Sequence, residues 1–221
     1  VSKVRSSLPS KSTTRRRFDP SAARKGDRRR ESILDNAEQI LRRIPADRLT
    51  LDDVAAGAGL SRSGVYFYFD SKWVLIDALI ELRSEEMLQR GLVDVQTTAL
   101  ADLMEQVVLA CLWGWQHHGA VFAAAVERSS HGGEAAQPWR SIMKTFADAI
   151  LEAVANDERG KVLEAAVGDV RSAVDIIGWM VERNFYMLFS RKHTPAEERR
   201  LADALIAAGG RIIGINPNTP R

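Results

Sequence analysis

The stretch LTLDDVAAGAGLSRSGVYFYFDSK, residues 49–72, constrains this chain more than any other segment. Thr50 has the form of an N-cap, and Asp53 three residues on imitates a capping box. The short helix they begin stops at Gly57–Gly59, where Gly59 offers a backbone that turns through positive φ. Ser61 then caps a second helix of about two turns, and Ala55 is small where the two must cross. Four aromatics follow Val65 without a break. A helix turns ~100° per residue, so Tyr66, Phe67, Tyr68 and Phe69 cannot all face one core. Val65 and Phe69 share a face with Ser61 and are assigned to the interior; Arg62, Ser63 and Tyr66 point away from it.

The remainder reads as helix almost throughout. Ile33, Leu34, Ala37, Ile40, Leu41 and Ile44 make one apolar stripe over 27–45, ended by Pro45. Ser71 caps a helix over 72–92. Residues 99–117 are apolar on nearly all sides, which predicts a central helix, with a short separate helix at 119–130. A stripe at 134–156, an all-round apolar segment at 169–192 and a last helix started by Thr194, Pro195 and Glu197 complete the series. No alternating strand pattern or hairpin signal occurs. The expected fold is all-α, with about nine helices. The expected division is a disordered basic arm at 1–26, a three-helix helix-turn-helix domain at 27–75 and a helical bundle at 76–221.

Charge narrows the partners. Residues 1–30 hold eleven basic and two acidic side chains, +9, whereas the rest carries twenty basic and 27 acidic ones, −7. A basic arm on an acidic body suits an anionic partner met at one end. Cys111 is the single cysteine, so a reducing compartment is expected and the cytoplasm fits. TTRRRFD resembles a twin-arginine export signal, but PSAARKGDRRR follows where an apolar segment should be. No run of ~18 apolar residues predicts a membrane span.

In a helix-turn-helix the second helix puts its N-terminal residues against base edges in the major groove. Arg62 has the chemistry to donate twice to guanine O6 and N7. Tyr66 suits a thymine methyl or a phosphate, and Tyr68 and Lys72 lie where a phosphate would pass. With ILDNAEQIL and SKWVLIDAL on either side, the region resembles the DNA-binding domain of the TetR family of transcriptional repressors. The form SRSGVYFYFDSK is most similar to the subgroup containing the mycobacterial ethionamide-resistance repressors. The resemblance implies an Ω-shaped homodimer on a palindromic double-stranded DNA operator, with an N-terminal DNA-binding domain and a C-terminal ligand domain. It implies phosphate contacts at Thr50, Tyr68 and Lys72 and base-facing positions at Arg62, Ser63, Gly64 and Tyr66. Gly64 departs from the Thr or Ala usual there and removes a side chain that could read a base.

No motif of the resemblance carries over into the second half, so the ligand site is read from the stripes. Met104, Cys111 and Trp115 line one helix face; Trp139, Met143 and Phe146 line another; Gly178, Val181 and Phe185 line a third. Aromatics with Met and Gly make adaptable apolar cavities, and each residue by itself also suits an ordinary core. Glu182 and Asn184 are polar groups inside an apolar helix and need partners. A small lipophilic ligand with one or two polar atoms is expected there. The last two helices are expected to form the dimer contact, with LIAAGGRIIGI allowing close approach. His117 and His118 diverge on a helix, Glu127 and His131 have an i, i+4 spacing common by chance, and no phosphate loop or HExxH occurs. The chain is therefore expected to be a ligand-responsive repressor with no cofactor, not an enzyme or metal sensor. A DNA-binding architectural protein without a ligand is the alternative.

Overall fold

The computed structural model describes residues 20–91, 100–154 and 158–213. Among them the elements are α1 (Pro20–Leu41), α2 (Leu51–Gly57), α3 (Arg62–Tyr66), α4 (Lys72–Gly91), α5 (Leu100–Ser129), α6 (Gln137–Val154), α7 (Glu158–Val167), α8 (Val170–Phe189) and α9 (Pro195–Ile212). A 3₁₀ turn at Gly133–Ala136 precedes α6, and no strand occurs among the described residues. The fold is all-α.

The caps read from the sequence are in place. The backbone N–H of Asp53 donates to Thr50 Oγ1 at 3.1 Å, and that of Gly64 to Ser61 Oγ at 3.1 Å. The backbone N–H of Val74 donates to Ser71 Oγ at 3.2 Å, and Thr194 with Glu197 forms a full capping box. Gly59 turns at φ 65°.

Four expectations are corrected. The first helix begins at Pro20, so residues 20–26 are helical rather than part of a disordered arm; proline at the first helical position loses no hydrogen bond. The rest of that arm, residues 1–19, lies outside the described residues. At its other end α1 stops at Leu41, because the residues before Pro45 tighten into turns, Arg43 N–H donating to Ile40 O at 2.9 Å. The two helices expected at 99–117 and 119–130 are one helix, α5, kinked at His118 (φ −127°, ψ 21°). Finally, α7 was not foreseen, since its apolar residues make no stripe that stands out from the polar ones.

Two layers result. Ile33, Leu34, Ala37, Val54, Val65 and Phe69 close a small core among α1, α2 and α3, and Leu75, Ile76 and Leu79 of α4 complete it. The boundary expected at 75–76 thus falls inside α4, which serves both halves. In the second half α5 is central and packs against α4, α6, α8 and α9. Gly114 permits the α4–α5 approach: a Cβ there would lie 2.5 Å from Met87 Sδ. Gly209 does the same for α9 on α5, where a Cβ would lie 2.4 Å from Met104 Cε. The small residues Gly209 and Gly210 of LIAAGGRIIGI are therefore buried within the chain, and Gly209 packs against α5.

Candidate nucleic-acid interface and ligand cavity

The outward face of α3 carries the side chains expected on it. Arg62 and Ser63 are exposed, and Tyr66 is 40% exposed. Arg62 Nε pairs with Asp52 Oδ1 at 3.2 Å, its guanidinium lies 5.3 Å from the Tyr66 ring centre, and its Nη2 donates to Tyr66 Oη at 3.4 Å. Arg62 is thus extended along the face rather than collapsed onto the core. Ser63 Oγ lies 3.1 Å from Ser61 Oγ. Gly64 sits over the cap, where a Cβ would meet Ser61 Oγ at 3.2 Å, so it offers backbone only.

Thr50 and Lys72 flank this face. Thr50 Oγ1 donates to Asp53 Oδ2 at 2.6 Å. Lys72 Nζ donates to the Asp47 carbonyl and lies 4.8 Å from the Trp73 ring centre. Arg128, at the end of α5, covers the same ring at 4.7 Å and pairs with Asp77. The start of α4, and with it Lys72, is held by the far end of α5. Tyr68 is half-buried, edge-on to Phe67 at 5.2 Å. Phe67, absent from the expected contacts, is 82% exposed and is the most exposed large apolar side chain described. Its signal was in the aromatic run: with Val65 and Phe69 inside, residue 67 stands opposite both.

Among α4, α5, α6 and α8 lies a cavity of about 410 Å³. Nine of the residues expected at a ligand site line it: Met104, Cys111 and Trp115 from α5; Trp139, Met143 and Phe146 from α6; Gly178, Val181 and Glu182 from α8. Met87, Leu103, Phe122 and Leu163 also line it and were not expected; helices distant in sequence bring them there. Burial pushes the Cys111 thiol up to about 12, so it stays a neutral wall group. Two expectations fail. Asn184 faces solvent and donates to Met180 O at 2.8 Å, because two residues beyond Glu182 a helix has turned ~200°. Phe185 is fully buried but packs on Phe189, with ring centres 6.4 Å apart, outside the cavity lining. No group of three or more His, Cys, Asp or Glu among the described residues is arranged to hold a metal. His131 Nδ1 meets the Glu127 carbonyl at 3.1 Å instead of pairing with its carboxylate. No described helix is long and apolar enough to cross a membrane.

Residues 33–79, which carry the helix-turn-helix and its aromatic run, match the family model for bacterial regulatory proteins of the tetR family. Residues 33–79 are thus a helix-turn-helix region of the TetR family. The chain is 27% identical over 184 residues to the HTH-type transcriptional regulator EthR of Mycobacterium tuberculosis, covering 82% of this chain and 85% of that one. Its fold is similar to that of a TetR-family regulator from Rhodococcus sp. (TM-score 0.71, 13% identity, 85% of this chain and 99% of that one). It is also similar to the fatty acid degradation regulator FadR of Bacillus halodurans (TM-score 0.66, 14% identity, 80% and 97%). The role these matches support is that of a DNA-binding transcriptional regulator.

Within this TetR fold one polar cluster joins the DNA-binding helices to the cavity helices. Glu38 of α1 is buried and accepts from Arg83 Nε of α4 at 2.8 Å, from Arg42 at 3.1 Å and from His118 Nδ1 of α5 at 2.8 Å. Arg83 also reaches Asp35 at 2.6 Å and Glu86 at 2.7 Å, and Arg42 donates to the His117 carbonyl at 2.7 Å. Burial would raise the Glu38 carboxyl, but the hydrogen bond and charge of His118, the hydrogen bond of Arg42 and the charge of Arg83 outweigh it and hold the group at about 2. His118 is the kink residue of α5. The kink is free to aim its side chain at α1 because the helix there abandons regular geometry.

Proposed function

We propose that the chain is a homodimeric repressor that binds a palindromic operator through α3 and is released by a small lipophilic ligand in the α5–α6–α8 cavity. Residues 27–75 act as the DNA-binding unit and residues 76–221 as the ligand and dimerisation unit, in the cytoplasm where the operator lies. The observation that carries this reading is the continuity of α5. Its middle walls the cavity at Cys111 and Trp115, and its kink at His118 grips Glu38 of the DNA-binding layer. A ligand that favours one setting of α5 over another shifts the spacing of the two recognition helices, which must enter successive major grooves about 34–36 Å apart.

Two observations support the finer assignments. Arg62, Ser63 and Tyr66 are the polar side chains presented outward by α3, and Thr50, Tyr68 and Lys72 border them where phosphates pass. Arg62→Ala is expected to lose ~1–3 kcal/mol per half-site and relax preference at one base pair. Lys72→Ala is expected to weaken all sequences alike and flatten the salt slope. Fluorescence anisotropy on operator variants over a salt series measures both. Unchanged binding by both variants, in folded dimers, rejects this docking face.

The ligand response has its own test at Gly178, which lines the cavity and where a Cβ would stand 3.4 Å from the mobile end of Met143. Gly178→Trp is expected to fill the space, to block thermal stabilisation by lipophilic compounds, and to lower operator affinity at least tenfold with no ligand present. If a panel of lipophilic alcohols and esters leaves the melting temperature unmoved and Gly178→Trp leaves operator affinity unmoved, a ligand-free DNA-binding protein is the better reading.

A further inference from the structure

Among the described residues Glu182 is the one acidic side chain buried in the wall of the cavity, only 5% exposed. Its Oε1 takes a long hydrogen bond, 3.4 Å, from the Trp139 indole N–H. Its Oε2 is buried and accepts no hydrogen bond among the described residues. The neighbouring Arg183 stops short of it, with Nε 3.8 Å from Oε2, while its guanidinium lies 5.4 Å from the Tyr186 ring centre and is more than half exposed. A buried carboxylate oxygen without a partner is costly, and burial pushes this carboxyl up.

The walls beside Glu182 are aromatic. Trp139 lies 6.1 Å from Phe122 and Phe122 lies 5.6 Å from Trp115, centre to centre, and all three rings line the cavity. A buried carboxylate in an aromatic-walled cavity is a surrounding that favours a lipophilic organic cation: the carboxylate supplies charge and a hydrogen-bond acceptor, and the rings supply polarisable apolar walls for the body of the molecule. Charged side chains at the rim do not meet this need. Lys144 and Arg171 are both engaged by Asp148, Arg171 also pairs with Asp175, and Arg140 is exposed.

We infer that the effector cavity takes a lipophilic amine whose ammonium group seats against Glu182 Oε2 between Trp139 and Phe122. The inference rests on the ligand-response reading above and names the chemical class that reading leaves open. At ~30 Å³ per water-sized unit, 410 Å³ holds roughly a dozen non-hydrogen atoms. The amine is therefore small: one aromatic or aliphatic body on a short chain. Its entry supplies the missing partner of Glu182 and neutralises the buried charge in one step.

Three matched probes test this on the full-length protein: 4-phenylbutylamine, 4-phenylbutan-1-ol and 4-phenylbutanoate. By calorimetry the amine is expected to bind at least tenfold more tightly than the alcohol, and the acid most weakly. Glu182→Gln is expected to erase the advantage of the amine and leave the alcohol within about threefold. Because it removes a buried unpaired charge, Glu182→Gln is also expected to keep or raise the ligand-free melting temperature, and Glu182→Met serves as a second variant if it does not. If the alcohol binds as tightly as the amine, or the acid more tightly, the inference is overturned and the cavity reading stands. If no probe binds and Gly178→Trp leaves operator affinity unchanged, both fall.

Discussion

Glu38→Ala is expected to lower the stability of the folded chain by about 3 kcal/mol or more. The carboxylate is buried and accepts from Arg42 just beyond the end of α1, from Arg83 of α4 and from His118 of α5. Removing it leaves Arg83, itself mostly buried, with its remaining charge partners at the edge of the cluster, Asp35 and Glu86. At ~2–4 °C per kcal/mol for a chain of this length, the melting temperature falls by roughly 10 °C. Glu38→Gln preserves shape and some acceptors and is expected to lose about half as much. The pH dependence follows from the same group. Its folded carboxyl is held at about 2 against an ordinary 4.5, so the folded state binds the proton more weakly than the unfolded one. The stabilisation is therefore complete above about pH 4.5 and is lost as pH falls toward 2, amounting to about 3 kcal/mol. Urea titrations between pH 2 and pH 6 are expected to show this loss in the wild type and a flatter profile in Glu38→Ala. A variant as stable as the wild type at neutral pH would mean that the junction contributes no net stability. Because the cluster joins α1 to the kink of α5, Glu38→Gln is also expected to weaken the effect of cavity ligands on operator binding.

The second large effect is expected on the outer face of α8. Ile176, Trp179 and Met187 are 58%, 42% and 61% exposed, and with Arg183 they follow one helical stripe. Large apolar side chains in such a row mark an interface, and in the proposed dimer they meet their symmetry mates in a bundle completed by α9. The double variant Ile176→Glu, Met187→Glu is expected to be monomeric by sedimentation at micromolar concentration while keeping its helical circular dichroism. Operator affinity is expected to fall at least ~100-fold, since the second recognition helix no longer arrives tethered to the first. A folded double variant that remains dimeric would move the interface elsewhere.

How far the sequence leads can be followed residue by residue. Thr50, Ser61, Ser71 and Thr194 announced their helices correctly because a cap is a contract between residues three apart. The inward assignment of Val65 and Phe69 was legible for the same local reason, and the exposure of Phe67 followed from it. Phe122 and Leu163 escaped notice because nothing near them in sequence records that α5 and α7 converge on α6 and α8. Asn184 was misassigned because polarity inside an apolar segment shows that a partner is needed without showing on which side. Gly209 looked like a residue for approach between copies, and only the position of Met104 shows that α9 uses it against α5.

The sequence by itself determined an all-α chain, the capped starts of α2, α3, α4 and α9, the outward face of α3 and the apolar stripes of α5, α6 and α8. Each of these depends on side chains within one or two turns of one another, where helical geometry leaves one outcome. Only the tertiary structure decided that those stripes line a cavity of about 410 Å³ rather than close into solid core, and that Glu182 Oε2 has no donor among the described residues. It alone decided that the expected break before residue 119 is a kink, with His118 turned onto Glu38 eighty positions away. Such features depend on the distances between helices. Those distances are set by the sizes of side chains that meet only after folding, such as Met87 on Gly114 and Met104 on Gly209.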